Sequence, residues 1–365
     1  MILMNDFQAE PPALRQAMAA AAARVFASGW YVLGQELKAF EETWARVCGT
    51  AHCVGVGNGL DAIELALRAL DIGPGDEVIT TPMTAVATVL AIIRAGAQPV
   101  LADIDPSTAL LSPDSVRRCI GPRTRAVLLV HLYGQVRDMD AWTALTAETG
   151  VQLIEDCAQS HLARWHGAVA GSFGVAGAYS FYPTKNLGAI GDGGALVCND
   201  DALAARVARL RNYGQSERYM HPELGMNSRL DELQAALLGV RLEWLEGFTA
   251  RRRAVAHRYD AEIRHARVRL LARSQEVGAH VHHLYVLLAE DRVALQRHLA
   301  ARGVQTLIHY PVPMHRQPPF VDLRRDPLGL SHTETHAARC LSIPCHPQLD
   351  DDAVAHVVGA INEWH

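Results

Sequence analysis

Lys185 and Asp156 are the two residues whose types and surroundings speak first of chemistry. Lys185 lies in AYSFYPTKNLGAIGDGG, residues 178–194. Ala178–Tyr182 is small, β-favouring and apolar enough for a buried strand end. Pro183 stops that strand, because proline lacks the N–H that a central ladder needs. A lysine in the following loop, held off bulk water and near other charges, loses its proton close to neutral pH and attacks a carbonyl to form a Schiff base. The glycines between Gly188 and Gly194 let backbone approach a flat ligand. Taken alone, the stretch reads equally well as a surface lysine in a flexible turn.

A second stretch, VQLIEDCAQS at 151–160, changes that balance. Val151, Leu153 and Ile154 read as a buried strand running into Glu155 and Asp156. An acid at the C-terminal end of a parallel strand stands where open α/β sheets keep their ligand chemistry. A carboxylate beside a pyridine nitrogen keeps that nitrogen protonated, which is the electron sink that pyridoxal 5'-phosphate (PLP) chemistry requires. Asp156 and Lys185 therefore supply two fixed points of a PLP site, and the Ser180 hydroxyl a third, toward the phosphate. The loop GVGNGL (55–60) enters a helix N-terminus, a ready anion site. It fails the dinucleotide fingerprint because Leu60 stands where the third glycine belongs. Backbone of Gly59 and Leu60 is instead expected to cradle a phosphate.

The strings NGLDA (58–62), DIGPGDEVI (71–79), HLYGQVRDMD (131–140), IEDCAQSH (154–161), SFYPTKNLGAIGDGGA (180–195) and NSRLDELQAALL (227–238) resemble the DegT/DnrJ/EryC1/StrS aminotransferases. IHYPVPMHRQPPF (308–320) and LSIPCHPQL (341–349) extend the likeness almost to the C-terminus. The resemblance implies an aspartate aminotransferase fold of type I and PLP-dependent transamination of a nucleotide-linked keto sugar, with glutamate as amino donor. It implies Lys185 as the Schiff-base former, Asp156 on the ring nitrogen, Gln159 on the ring's 3-hydroxyl edge and Ser180 on the phosphate. It also implies a homodimer with a shared site, in which Asn227 reaches the partner's cofactor phosphate and Arg229 lines the same cleft. Taken without the family, Asn227 is equally a simple helix-entry residue. Two positions depart from the family pattern. Leu60 replaces a common hydroxyl residue, so one side-chain bond to phosphate is lost. Ala85 stands where relatives often stack an aromatic on the cofactor ring. The NGLD variant resembles the branch acting on 3-keto sugars, which points to a dTDP-3-keto-6-deoxyhexose. Rival readings are a PLP-dependent sugar dehydratase, in which histidine replaces the lysine, and a non-catalytic regulator that retains the fold.

Elements must bring these residues together. Residues 52–130 alternate short strands with amphipathic helices: strands at 52–56, 77–80, 99–102 and 125–131, helices from Asn58 to Leu70 and from Thr84 to Arg94. Such alternation implies an α/β fold with a mostly parallel sheet covered by helices on both faces. Helices are also expected at Pro12–Phe26 and Gln35–Val47, joined by a loop carrying Trp30 and Tyr31. In the helix from Thr84 to Arg94, Val86, Val89, Leu90 and Ile93 are the expected inward positions. Ser228 with Asp231 reads as a capping box, opening a helix that buries Leu230, Leu233, Leu237, Val240 and Trp244. Beyond it come a basic amphipathic helix at 249–265, strands at 282–288 and 304–309 and a helix at 292–302. The expected organisation is a PLP-binding domain over 1–245, N-terminal arm included, and a smaller C-terminal α/β lobe over 246–365. His309, Tyr310 and His315 are candidates to approach a nucleotide sugar.

Composition sets outer bounds. The formal charge of −5 with 34 scattered basic residues argues against nucleic acid. No stretch is apolar for about 20 residues, as a membrane span needs, and the start lacks a signal-peptide pattern. The seven cysteines contain no C-x-x-C pair and suit reduced thiols in the cytoplasm. No set of His, Cys and Asp has convincing metal spacing.

Overall fold

The computed structural model describes residues 1–365. Its main sheet has eight strands in the order His52–Val56, Gly194–Cys198, Ala176–Ser180, Gln152–Asp156, Thr124–Val130, Glu77–Thr80, Gln98–Leu101, Arg324–Arg325. Only Gly194–Cys198 runs against the others. Side chains along the central strands alternate between two cores. Val127, Leu129 and Leu153 join Phe40, Trp44 and Tyr179 on one face, while Ala126, Leu128 and Ile154 join Ile63 and Leu67 on the other. That period of two, apolar on both sides, is the signature of a sheet covered by helices on both faces.

A second, three-stranded antiparallel sheet contains Val268–Leu270, Tyr285–Ala289 and Cys340–Ile343. Its core includes Tyr285, Leu287, Leu341, Val354 and Ile361. The two sheets share one long helix, Glu232–Glu262, of 31 residues. Ala235, Leu238 and Leu245 pack into the large core. Ala236 and Leu237 meet Ala21 and Val25 of the N-terminal helix Pro12–Ser28. Val255, Ala256 and Tyr259 belong to the small core. The expected division at 245/246 therefore falls inside a continuous rod, and the separate helix expected at 249–265 is its second half.

Three further local expectations are corrected. Ser228 does not cap this helix: its hydroxyl donates to Asp61 Oδ2 at 2.7 Å and accepts from the Gly57 N–H at 2.9 Å. The N-cap is Asp231, without a side-chain bond. The helix after Met83 spans Val86–Arg94 and turns Thr88, Val89, Ala91 and Ile92 inward, leaving Val86 and Ile93 exposed. Polar Thr88 displaces the apolar pattern because it has a buried partner, described below. Finally, Val304–His309 is not a strand; only single bridges at Val304 and Leu307 tie it to Ile2 and Ser342.

Candidate active site

The chemistry gathers at the C-terminal ends of the parallel strands, as in other open α/β sheets. Asp156 ends the strand Gln152–Asp156 and pairs in register with Ala178 of the neighbouring strand, which ends at Ser180. Pleating sends Glu155 and Asp156 to opposite faces. Asp156 is buried, with Oδ1 accepting from the Ala158 N–H at 3.1 Å and Oδ2 from the Thr88 hydroxyl at 2.9 Å. The carboxylate is thus fixed by two donors and keeps lone pairs for a third partner.

Ser180 faces the helix Gly59–Ala69. A Cβ added to Gly59 would lie 2.7 Å from the Ser180 Cβ, so glycine is required for this approach. The Asn58 side chain takes the Asp61 N–H and its carbonyl takes the Ala62 N–H. The N–H groups of Gly59 and Leu60 have no partner in the chain. Two unpaired donors at a helix N-terminus, beside a serine hydroxyl, form a fitting cradle for a phosphate. The Leu60 side chain packs at the edge of the core containing Ile63 and Leu67, so only its backbone serves that cradle.

Lys185 follows a tight turn in which its N–H bonds the Tyr182 carbonyl at 2.8 Å. Burial pushes its ammonium pKa down to about 8, against a partial upward pull from Asp156. The residues around it keep the site free of other cations. Burial, and then the charge of Lys185, lowers His161 to about 3, His309 to about 4 and His283 well below its ordinary value. His161 is enclosed by Trp44, Tyr179 and Phe181, with ring centroids 5.9, 5.3 and 5.8 Å away. His309 Nδ1 pairs with the Ser342 hydroxyl at 2.8 Å, and His283 Nδ1 with Asn186 Oδ1 at 3.3 Å.

Gln159 is pinned from both ends. Its Oε1 accepts from the Tyr133 N–H and its Nε2 donates to the Tyr310 hydroxyl at 3.3 Å. The second amide hydrogen remains available. Tyr310 is therefore placed beside the Asp156–Gln159 edge of the site. His315 is not: it is buried against Glu334, with Nε2 3.0 Å from Oε1. Asn227 is exposed and its side chain makes no hydrogen bond within this chain. Arg229 donates to Asn212 Oδ1 at 3.0 Å and lies over the Tyr213 ring at 5.6 Å. Trp30 lines a separate cavity of about 500 Å³ with Arg24, Gly34, Glu36 and Arg211. None of its lining residues belongs to the Asp156–Lys185 site.

Sequence reasoning passed over Thr88, Thr84, His161, His283 and Tyr133. Two threonines four residues apart at a helix start were the available signal for the first pair. Burial of the histidines had none. His131, Glu155 and Cys157 bring three ligand-type atoms within 4.8 Å of one another. The Glu155 oxygens, however, are already occupied by the N–H groups of Gly171, Phe173 and Gly174 at 2.7–2.8 Å and by His131 Nε2 at 2.8 Å. That saturated carboxylate pins the turn before Ala176–Ser180 to the sheet.

The model of the DegT/DnrJ/EryC1/StrS aminotransferase family matches residues 12–362. The chain belongs to this family. It is 46% identical over 356 residues to the erythromycin biosynthesis sensory transduction protein EryC1 of Saccharopolyspora erythraea, covering 98% of this chain and 97% of that one. It is 44% identical over 359 residues to the dTDP-3-amino-3,4,6-trideoxy-alpha-D-glucose transaminase of Streptomyces venezuelae, covering 98% and 95%. Among solved structures it is similar to S. venezuelae DesV in complex with a ketimine intermediate, with a TM-score of 0.96 and 43% identity over 100% of this chain and 98% of that one. This family member is a PLP-dependent sugar aminotransferase with the mixed α/β fold of its structural relatives. The residues present fit that cofactor: a fixed carboxylate, an unpaired N–H cradle beside Ser180 and a lysine of lowered basicity. No helix is long and apolar enough to cross a membrane.

Proposed function

We propose that this protein aminates the 3-keto carbon of a dTDP-linked deoxysugar, with Lys185 as the residue that carries PLP and glutamate as the donor. The observation that carries the assignment is the meeting of Asp156, at the end of its strand, with Lys185, in a separate loop, in one buried site where Asp156 pulls the lysine's pKa upward against desolvation. PLP, when bound, supplies the electron sink for removing a proton from the carbon that bears nitrogen. Asp156 holds a proton on the ring nitrogen, its carboxylate aimed by Ala158 and Thr88. Gln159 orients the hydroxyl edge through its remaining amide hydrogen. Ser180, with the N–H groups of Gly59 and Leu60, anchors the phosphate. Lys185 Nζ would hold the cofactor and, when free, would serve as the base that accepts and returns a proton. A lowered pKa suits both directions of that transfer.

Asn227 fits a role in a homodimer with a shared site. It is exposed on the loop that also presents Tyr213 and Tyr219 outward, while Trp30 and Tyr31 stand exposed on the N-terminal arm. An active monomer would sink that part of the reading. All seven cysteines are buried and unpaired, which supports a reducing, cytoplasmic setting. The two-lobe division, with the long helix shared, supports a substrate cleft between lobes. The deciding experiment incubates purified protein with PLP, glutamate and dTDP-linked 3-keto sugars. Release of 2-oxoglutarate with formation of an amino sugar is expected. Lys185→Ala should abolish both turnover and the visible absorbance of lysine-bound cofactor; retained turnover would refute the role of Lys185.

A further inference from the structure

Asp156 is held by a hydroxyl chain that none of the site's established chemistry requires. Thr84 Oγ1 lies 2.8 Å from Thr88 Oγ1, and Thr88 Oγ1 lies 2.9 Å from Asp156 Oδ2. All three residues are buried. Each hydroxyl has one proton to donate. An ionised carboxylate only accepts, so Thr88 must donate to Asp156 and is free to accept from Thr84. The chain therefore has one direction, Thr84 to Thr88 to Asp156. Thr88 also sits in the first turn of Val86–Arg94, whose N-terminal partial charge favours an anion at that place.

The other carboxylate oxygen is fixed independently by the Ala158 N–H. With one donor on each oxygen, the carboxylate cannot rotate about its Cβ–Cγ bond without losing both. Its remaining lone pairs then point in a set direction. The plain alternative is that Thr84 and Thr88 merely satisfy each other inside a helix start, as buried hydroxyls commonly do. That alternative explains the 2.8 Å contact between them, but not why the pair ends on the one carboxylate that faces Lys185.

We propose that Thr88, oriented by Thr84, is a positioning residue that holds the Asp156 carboxylate aimed at the ring nitrogen of PLP. The proposal rests on the assignment of Asp156 to that nitrogen. Removing the Thr88 hydroxyl leaves a buried carboxylate with one donor fewer, and its grip on the pyridinium weakens.

The test compares Thr88→Val, Thr88→Ser, Thr84→Val and Asp156→Asn with the wild-type protein, reading PLP affinity by titration of the cofactor-free form and the visible circular dichroism of the bound cofactor. Thr88→Val is expected to bind PLP about tenfold more weakly, the loss of one hydrogen bond to a charged group. Its visible dichroism should change, reporting a ring no longer held at one angle. Thr88→Ser should restore both to near wild-type values. Thr84→Val should weaken binding in the same direction but by less, since it removes only the orienting donor. Wild-type affinity and dichroism in a folded Thr88→Val protein would overturn the proposal. Should Thr88→Val not fold, Thr84→Val decides: weaker binding supports the relay and unchanged binding overturns it. Unchanged PLP binding in Asp156→Asn would overturn the nitrogen assignment as well as the relay, which separates the two failures.

Discussion

Lys185 offers the sharpest quantitative test. Its ordinary pKa of 10.5 is pushed down to about 8 by burial, and Asp156 opposes that shift. At pH 7.5 a lysine at 10.5 is roughly 0.1% neutral, whereas one at 8 is roughly a quarter neutral, a gain of about 200-fold in the form that attacks an aldehyde. The assay is competitive acetylation of the cofactor-free protein over pH 6–11, with modification at Lys185 quantified by mass spectrometry. The expected midpoint is near 8. Asp156→Asn removes the charge that favours the ammonium, so the midpoint should fall further. A midpoint near 10.5, or a rise in Asp156→Asn, would show that desolvation does not control this amine. The same shift has a stability signature whose sign is fixed. The folded-state value lies below the unfolded one, so between pH 8 and 10.5 the unfolded chain binds more protons and stability rises with pH. The cost to the fold is fully present below pH 8, at most about 3 kcal/mol, and is gone above 10.5.

Three further outcomes follow from particular contacts. Glu232 accepts from the N–H groups of Gly34, Glu36 and Leu37 at 2.8, 2.9 and 3.0 Å, capping the helix Gln35–Cys48 from a distant part of the chain. Glu232→Ala should cost about 2 kcal/mol in urea unfolding, the upper range for a lost cap. Glu155→Ala strips four donors of their buried acceptor and should destabilise by about 3–5 kcal/mol, measured the same way. Gly59→Ala drives a methyl against Ser180 and should weaken PLP binding by tenfold or more while costing about 1–3 kcal/mol in urea unfolding. A normal cofactor affinity in that variant would remove the phosphate cradle from this loop.

Much of the site was legible in one dimension because its residues sit at strand ends. Gln152–Asp156 forms where its apolar run into two acids predicts, whereas the strand expected over Ala178–Tyr182 and stopped by Pro183 is Ala176–Ser180, ending two residues earlier. Asn58 caps its helix as its residue type suggests. The readings that failed depended on partners far along the chain. Ser228 has the spacing of a capping residue, but Asp61 and Gly57 claim its hydroxyl. Val86 and Ile93 have the period of a core face, but the helix turns to place Thr88 on Asp156. The 245/246 boundary looked like a change of texture because the long helix changes neighbours midway while its backbone continues.

The amino-acid sequence by itself determined which groups exist to do the chemistry, since a lysine after a proline-terminated strand and an acid ending another are local facts. It also determined the alternation of strands and helices, because periodicity needs no knowledge of distant residues. Only the tertiary structure decided how those groups behave. Desolvation of Lys185, the neutrality of His161 and His309, the pinning of Gln159 by Tyr133 and Tyr310, and the hydroxyl chain behind Asp156 all arise from residues remote in sequence. Dielectric environment and hydrogen-bond direction are properties of a packed volume, and a chain acquires them only when its segments meet.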